Sequence, residues 1–334
     1  MSSLVVTITE TLRYRGAIGQ WSWVLHRVTG LGVVLFFVLH VIDTSWAVFY
    51  PSLYEKAIAI YQSPLFTVGE FALVFAVVYH AFNGLRIVIM DYKPNWWRYQ
   101  ERAAWIVLGL TVLTLIPTFV IMFNHVLVHY EEAPQTLPLL EVLGEQVRFI
   151  VGMAVAVVAA VLFSAVTGIF TREKPSTLPA RGSKMERFWW SYMRVSGLLI
   201  VPLVFGHLAM VHIIQGVFDI TAAGKVVVGT DLVNQSGTAV EFVAHRWQFL
   251  VASVAVWKLY DFGLLALAGI HGFNGLRYVL TDYTMSNPIL RRASIYLCVI
   301  AAVTLLILGG AALLGTIDSA AIDMAIEAQS KLFE

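Results

Sequence analysis

Apolar residues in this chain come in runs too long for the helices of a soluble core. Seven of them, roughly 21–49, 65–91, 103–128, 148–170, 188–216, 256–281 and 293–316, can each cross about 30 Å of hydrocarbon at 1.5 Å per residue. An open sheet in lipid would leave backbone groups unsatisfied, so every run is predicted to be a helix. Pro117 and Pro202 fall inside runs, where kinks are expected.

Composition supports an integral membrane protein, with 59% hydrophobic residues, 13% charged residues and a mean hydropathy of +0.77. The single cysteine, Cys298, excludes an intramolecular disulfide and any thiolate metal cluster. Met1–Gln20 carries no short apolar segment ahead of a small-residue cleavage site, so no signal peptide is expected. The net charge of +1 hides an asymmetry. One set of polar segments holds twelve bases: Arg13, Arg15, Lys93, Arg98, Arg102, Arg172, Lys174, Arg181, Lys184, Arg187, Arg291 and Arg292. The alternating set holds four, Lys56, Lys225, Arg246 and Lys331, while Glu131, Glu132, Glu141 and Glu145 keep segment 130–146 polar. By the positive-inside rule the N-terminus is cytoplasmic and the C-terminus outside, in a cell membrane. The expected surroundings are membrane lipids, with no nucleic-acid partner.

The second half repeats the first. Arg27-Val-Thr-Gly30 matches Arg194-Val-Ser-Gly197 at an offset of 167, which His40 and His207 share. His80-Ala-Phe-Asn-Gly84-Leu-Arg86, running on to Asp91-Tyr92, matches His271-Gly-Phe-Asn-Gly275-Leu-Arg277, running on to Asp282-Tyr283, at an offset of 191. The extra 24 residues fall in the segment 219–248, where Gly224–Thr230 is expected to form a hairpin. Three crossings leave the chain on the far side, so a parallel second copy needs one return crossing first. The run at 148–170, without an ionisable residue from Phe149 to Thr171, supplies it. The predicted fold is therefore an all-α membrane protein of 3+1+3 helices. Residues 1–130 form the first repeat, 131–187 the return helix and a basic linker, 188–316 the second repeat and 317–334 a polar tail.

Four intramembrane histidines obey the repeat. Measured from the arginines that mark the inner boundary, His40 and His207 lie about 20 Å deep and His80 and His271 about 9 Å deep. Each level takes one histidine from each half, and pseudo-twofold symmetry points the two members at each other. Facing imidazoles in an apolar, helix-lined slot suit the two axial positions of a haem iron, and two stacked slots make an electron path. Gly84 and Gly275, four residues after the inner histidines, would admit a porphyrin or a neighbouring helix. Arg86 and Arg277 at the inner edge are suited to haem propionates, with the positive-inside bias as the competing explanation.

With its His26-Arg27-Val-Thr-Gly30 segment and His-x3-Gly-x-Arg-x4-Asp pattern, the first half resembles the larger cytochrome b anchor subunit of succinate dehydrogenases. Arg194, His271 and Leu280-Thr281-Asp282-Tyr283 resemble the smaller anchor subunit, so the chain looks like both fused. The resemblance implies that His80 and His271 ligate the iron of a proximal haem b. In its two-haem form it implies that His40 and His207 ligate a distal one. It further implies a quinone site at the cytoplasmic edge, with menaquinone the expected species, built from Arg27 and Tyr283, both hydrogen-bond donors to a quinone carbonyl. Asp282 would orient that edge or supply protons. The family's serine before the His-Arg pair is displaced by one: Ser22 carries the role and Trp23 stands at the matching position. The implied partners are an iron–sulfur subunit and a flavoprotein subunit. The implied function is the membrane anchor of a succinate:quinone oxidoreductase, with a quinol:fumarate reductase as the alternative. This chain alone, without a dinucleotide fingerprint, is not expected to oxidise succinate.

Other groups are weaker signals. Glu70 and Asp261 follow the repeat ten residues before the inner histidines, where helix-start carboxylates are the simpler explanation and proton exchange with the far side the alternative. His26 has no counterpart in the second half, where Met193 stands, and is read either as a propionate or quinone contact or as a boundary histidine in contact with water; His125, His129, His212 and His245 are read as interfacial. The rival class is a transporter, since parallel 3+1+3 repeats also build small-solute carriers.

Overall fold

The computed structural model describes residues 16–131, 134–170 and 184–332. Arg13, Arg15, Glu132 and most of the basic linker, with Arg172, Lys174 and Arg181, lie outside the described residues. In chain order the helices are α1 (Ile18–Phe49), α2 (Pro51–Tyr61), α3 (Pro64–Tyr92), α4 (Gln100–Glu131), α5 (Leu139–Phe170), α6 (Lys184–Leu208), α7 (Ala239–Gln248), α8 (Val256–Thr284), α9 (Pro288–Leu314) and α10 (Ser319–Lys331). A 3-10 turn at Pro94–Tyr99 leads into α4, and α6 continues as a π-helix over Ala209–Ile214.

Local chemistry sets the boundaries. Pro51, Pro64 and Pro288 open α2, α3 and α9, where a missing N–H costs nothing. Asn287 caps α9 by accepting from the amides of Ile289 and Leu290, and Asp318 caps α10 through Ala321. Thr238 caps α7 through the Glu241 amide, while Glu241 reaches back to the Ser236 amide in a variant of the capping box.

Among the described residues, six helical stretches are long and apolar enough to cross a membrane: α1, α3, Pro94–Glu131, α5, Lys184–Ile214 and α9. The sequence predicts seven. The seventh, α8, is as long as α3, but Lys258 and Asp261 at one end and Arg277 and Asp282 at the other dilute its hydropathy. It packs between α6, α9 and α1. Helices α1, α3, α6 and α8 form a closed ring in which each touches the next, α1 to α3, α3 to α6, α6 to α8 and α8 to α1. Helix α4 lies outside α3, α9 lies outside α8 and α1, and α5 leans on α9. Apolar side chains on α4 and α5 point outward, Leu113 at 69% exposure and Leu140 at 84%, as lipid-facing residues do.

The end of the bundle away from the Arg27 edge carries a cap. Helix α10 packs on α2 and α7, so the predicted polar tail is a docked helix, with Ala321 and Ala325 buried. The expected hairpin is a loop closed by one bridge, Val226 to Val233, with Gly224 and Gly229 at positive φ where a side chain would be strained. Sealing it are Ile220, Val227, Phe242 and Trp247, which join the main hydrophobic core. Helix α5 begins at Leu139 rather than near 148, because Glu141, Glu145 and Arg148 sit on its first turns. Lys56 of α2 engages both glutamates, and Arg148 pairs with Glu145.

Candidate functional site

Each helix of the ring carries one repeat-matched histidine: His40 on α1, His80 on α3, His207 on α6 and His271 on α8. The outer pair meets across the ring, with imidazole centroids 5.8 Å apart and planes at 77°. His207 Nδ1 is buried without a hydrogen-bond partner. The π-helical winding after His207 turns His212 back beside it, ring centroids 5.8 Å apart, on a residue spacing that an α-helix would send to the opposite face. His212 in turn holds Glu70 at 2.7 Å, and Asp261 accepts from Trp247 Nε1 at 3.0 Å. His125 lies 3.2 Å from Asp219, His245 lies 3.1 Å from Glu241, and His129 stacks on Phe218.

At the inner level both rings are held by Nδ1. His80 Nδ1 bonds the His26 carbonyl at 3.1 Å, and His271 Nδ1 bonds the Ser196 hydroxyl at 2.9 Å. Among the described residues neither Nε2 makes a hydrogen bond. An imidazole fixed through one nitrogen and open at the other has the orientation a metal ligand needs. Glycines shape both sites, on the first helix of each half. A Cβ at Gly30 would sit 2.8 Å from His80 Cε1, and one at Gly197 would sit 3.4 Å from His271 Cε1. Gly84 and Gly275 instead give ordinary contact to His26 and Met193, at 3.7 Å each. His26 stacks on His80, centroids 3.9 Å apart and planes 9° apart, with its own Nδ1 buried and unpaired.

The inner edge is closed by two reciprocal ion pairs. Arg27 of α1 binds Asp282 of α8, and Arg194 of α6 binds Asp91 of α3 through Nε at 3.0 Å and Nη2 at 2.6 Å. Each therefore bridges the two halves, at the two seams of the ring. Each guanidinium also lies over the tryptophan one turn earlier, Arg27 over Trp23 at 3.9 Å and Arg194 over Trp190 at 4.2 Å. Trp23 and Trp190 share the offset of 167, and Asp91 and Asp282 the offset of 191, so this constellation was written in the sequence as a repeat.

Of the residues carried over for a quinone, Arg27 and Asp282 come together. Tyr283 stands on the next position of α8 and is 75% exposed. Ser22 lies on another face of α1, where its hydroxyl donates to Asn83 at 2.8 Å, accepts from Arg86 and meets Tyr79 OH at 3.1 Å. This buried network borders an apolar cavity of about 190 Å³ between α1 and α4, lined by Trp21, Leu25, Val28 and Leu108. Arg86 is thus committed to Ser22 and Asn83, whereas Arg277 reaches Asn274 at 2.9 Å and the exposed Glu186 at 3.4 Å. Sequence reasoning missed Asn83, Asn274, Ser196 and the stacked tryptophans, although each sits inside a repeated motif.

The chain is similar in sequence to known membrane subunits. The sequence profile described as "Succinate dehydrogenase/Fumarate reductase transmembrane subunit" matches residues 9–110 and 179–309, leaving out the stretch with α5 and the linker. The succinate dehydrogenase 2 membrane subunit SdhC of Mycobacterium tuberculosis is 35% identical over 135 residues, covering 39% of this chain and 99% of the relative. No solved structure matches the chain at a significant level. With a matched profile over most of its length and a repeat that places one histidine on each helix of the ring, the chain belongs to the family of succinate dehydrogenase and fumarate reductase transmembrane subunits.

Proposed function

We propose that this chain is the cytochrome b anchor of a succinate:quinone oxidoreductase. In that role it carries electrons from an iron–sulfur subunit to a quinone, menaquinone by preference, and holds two haems b. The carrying observation is the set of four histidines at two levels, one on each ring helix, with the outer pair 5.8 Å apart. The same anchor serves fumarate reduction when the quinone's potential favours it. The reading takes seven crossings as 3+1+3, with α8 crossing inside the ring, shielded by α1, α6 and α9.

The residues present fit the group. His80 and His271 would hold the inner haem, each with Nδ1 engaged and Nε2 open, and His40 and His207 the outer one. Buried donors without partners, Arg277 Nη2 and Asn274 Nδ2, suit carboxylate oxygens. When bound, haem b supplies one-electron redox chemistry whose potential follows its ligands and surroundings. The protein's part is to fix the rings, exclude water and place charge.

At the inner edge Arg27 is the donor for a quinone carbonyl. Trp23 beneath it and Asp282 beside it fix its plane. The guanidinium stabilises negative charge as it develops on the carbonyl oxygen. Asp282, half exposed, holds or returns a proton at its carboxylate, and the Tyr283 hydroxyl donates from the water side.

Reduced-minus-oxidised spectroscopy of the purified complex tests the reading. Two b-type components are expected; absence of any b-type absorption overturns it.

A further inference from the structure

Asn274 and Arg277 are the second-half counterparts of Asn83 and Arg86, and the two pairs are completed differently. In the first half Ser22 ties the cluster together: its hydroxyl takes a guanidinium hydrogen and gives its own to Asn83 Oδ1, leaving Arg86 Nε as its one buried donor without a partner. In the second half Trp189 stands at the position matching Ser22, and no hydroxyl arrives. Asn274 Oδ1 accepts from Arg277 Nε at 2.9 Å, which fixes the amide with its Nδ2 turned the other way. Asn274 is 7% exposed, and both its Nδ2 and Arg277 Nη2 are buried with no hydrogen-bond partner.

Two buried donors on a pair of side chains bonded to each other, one of them cationic, require acceptors, and leaving both unmade would cost several-fold more than a single surface bond contributes. Asn274 lies one turn inward of His271 on the same helix, between the inner histidine level and the charged edge. Glu186, the carboxylate nearest to Arg277, stays out at 3.4 Å and is itself largely exposed, so it reaches neither orphaned donor. Resting on the two-haem reading above, we propose that Asn274 Nδ2 and Arg277 Nη2 bind a carboxylate of the inner haem, while Asn83, engaged by Ser22 and Arg86, binds none. Asn274 is then a cofactor-binding residue, and the two matched asparagines are not equivalent.

The test uses the assembled complex with Asn274→Leu, Asn274→Asp and Asn274→Gln, and Asn83→Asp as the matched first-half variant. The readouts are haem b content per complex, haem loss over time and the midpoint potential of each haem, with the outer haem as an internal monitor of folding. Asn274→Leu should weaken retention of the inner haem about tenfold, the worth of one charge-assisted hydrogen bond. It should also lower the potential, because a donor offsets the negative charge of its acceptor. Asn274→Asp should lose the inner haem further by repulsion, Asn274→Gln should largely restore it, and Asn83→Asp should keep it. Unchanged content and potential of the inner haem in both Asn274→Leu and Asn274→Asp, with the outer haem retained, would mean that the donors meet only water, and overturns the proposal. An unsubstituted complex with no b-type absorption removes the underlying reading as well, and the two failures are distinct.

Discussion

The two halves of this chain share a helix register but not a state of completion. In the first half Ser22, Asn83 and Arg86 bond to one another, with Arg86 Nε alone of that cluster left without a partner, and His26 stacks on the inner histidine. In the second half Trp189 and Met193 replace Ser22 and His26, and buried donors are left over. The ion pairs differ as well. Side chains of the Arg194–Asp91 pair are 20% and 16% exposed, whereas Asp282, the partner of Arg27, is 50% exposed. The halves therefore share a frame and differ at a few matched positions. The Arg194–Asp91 seam is the more buried, and the Arg27–Asp282 seam is the more open one, to which the proposed function assigns the quinone.

Removing an outer histidine should have the largest effect. His207→Ala is expected to abolish one b-type component outright and leave the inner one, read by the spectrum and by haem content. Loss of both or of neither breaks the pairing of matched levels. Next come the glycines, which should separate the halves. Gly30→Ala places a methyl 2.8 Å from a ring already tied by its Nδ1, and a several-fold loss of inner haem is expected. Gly197→Ala, at 3.4 Å, should be tolerated with nearly full occupancy. Equal behaviour of the two variants would show that the imidazoles are not constrained as the geometry indicates.

The cap joins the halves from the outer end. Glu55 of α2 is 2% exposed and accepts from the Val240 amide at the start of α7. Burial nonetheless raises its carboxyl from 4.5 to about 7, against the opposing pull of the backbone amides. The unfolded chain ionises from the lower value while the folded chain keeps the proton up to the higher one. The stabilisation is therefore full below pH 4.5, is lost as pH rises towards 7 and stays lost above. Glu55→Gln, which keeps the acceptor, should gain up to about 3 kcal/mol above pH 7 and nothing at pH 4. Denaturation of the detergent-solubilised complex at both pH values checks this, and a gain equal at both pH values would remove titration as its cause.

A smaller contrast lies at the seams. Arg194→Ala should destabilise by about 2 kcal/mol, because it strands the mostly buried Asp91. Arg27→Ala should cost under about 1 kcal/mol, as expected of a more exposed pair, yet it should slow quinone reduction far more while sparing the haem spectrum. Reversal of that order would exchange the roles assigned to the two seams.

Much of this molecule was legible as pattern. Hydropathy located the long helices, since a bilayer fixes how many apolar residues a crossing needs, and the offsets of 167 and 191 gave the parallel halves and the two histidine levels. At α8 the apolar run 256–281 forms one long helix, although its charged ends and polar motif lower its hydropathy below that of the other six. The polar tail docks as α10, because an alanine stripe can pack on α2 without raising the mean hydropathy.

What the sequence determined by itself was periodic: helix lengths, the repeat and which residue types recur at which depth. Tertiary structure alone decided who pairs with whom. The crossing of Arg27 to Asp282 and of Arg194 to Asp91, the commitment of Arg86 to Ser22 and the turning of His212 towards Glu70 all depend on helix rotation and on one π-helical turn. The physical reason is that spacing along a chain fixes depth and face within one helix. Hydrogen bonds and ion pairs are chosen by neighbours distant in sequence, and burial leaves each polar group only the partners within its reach.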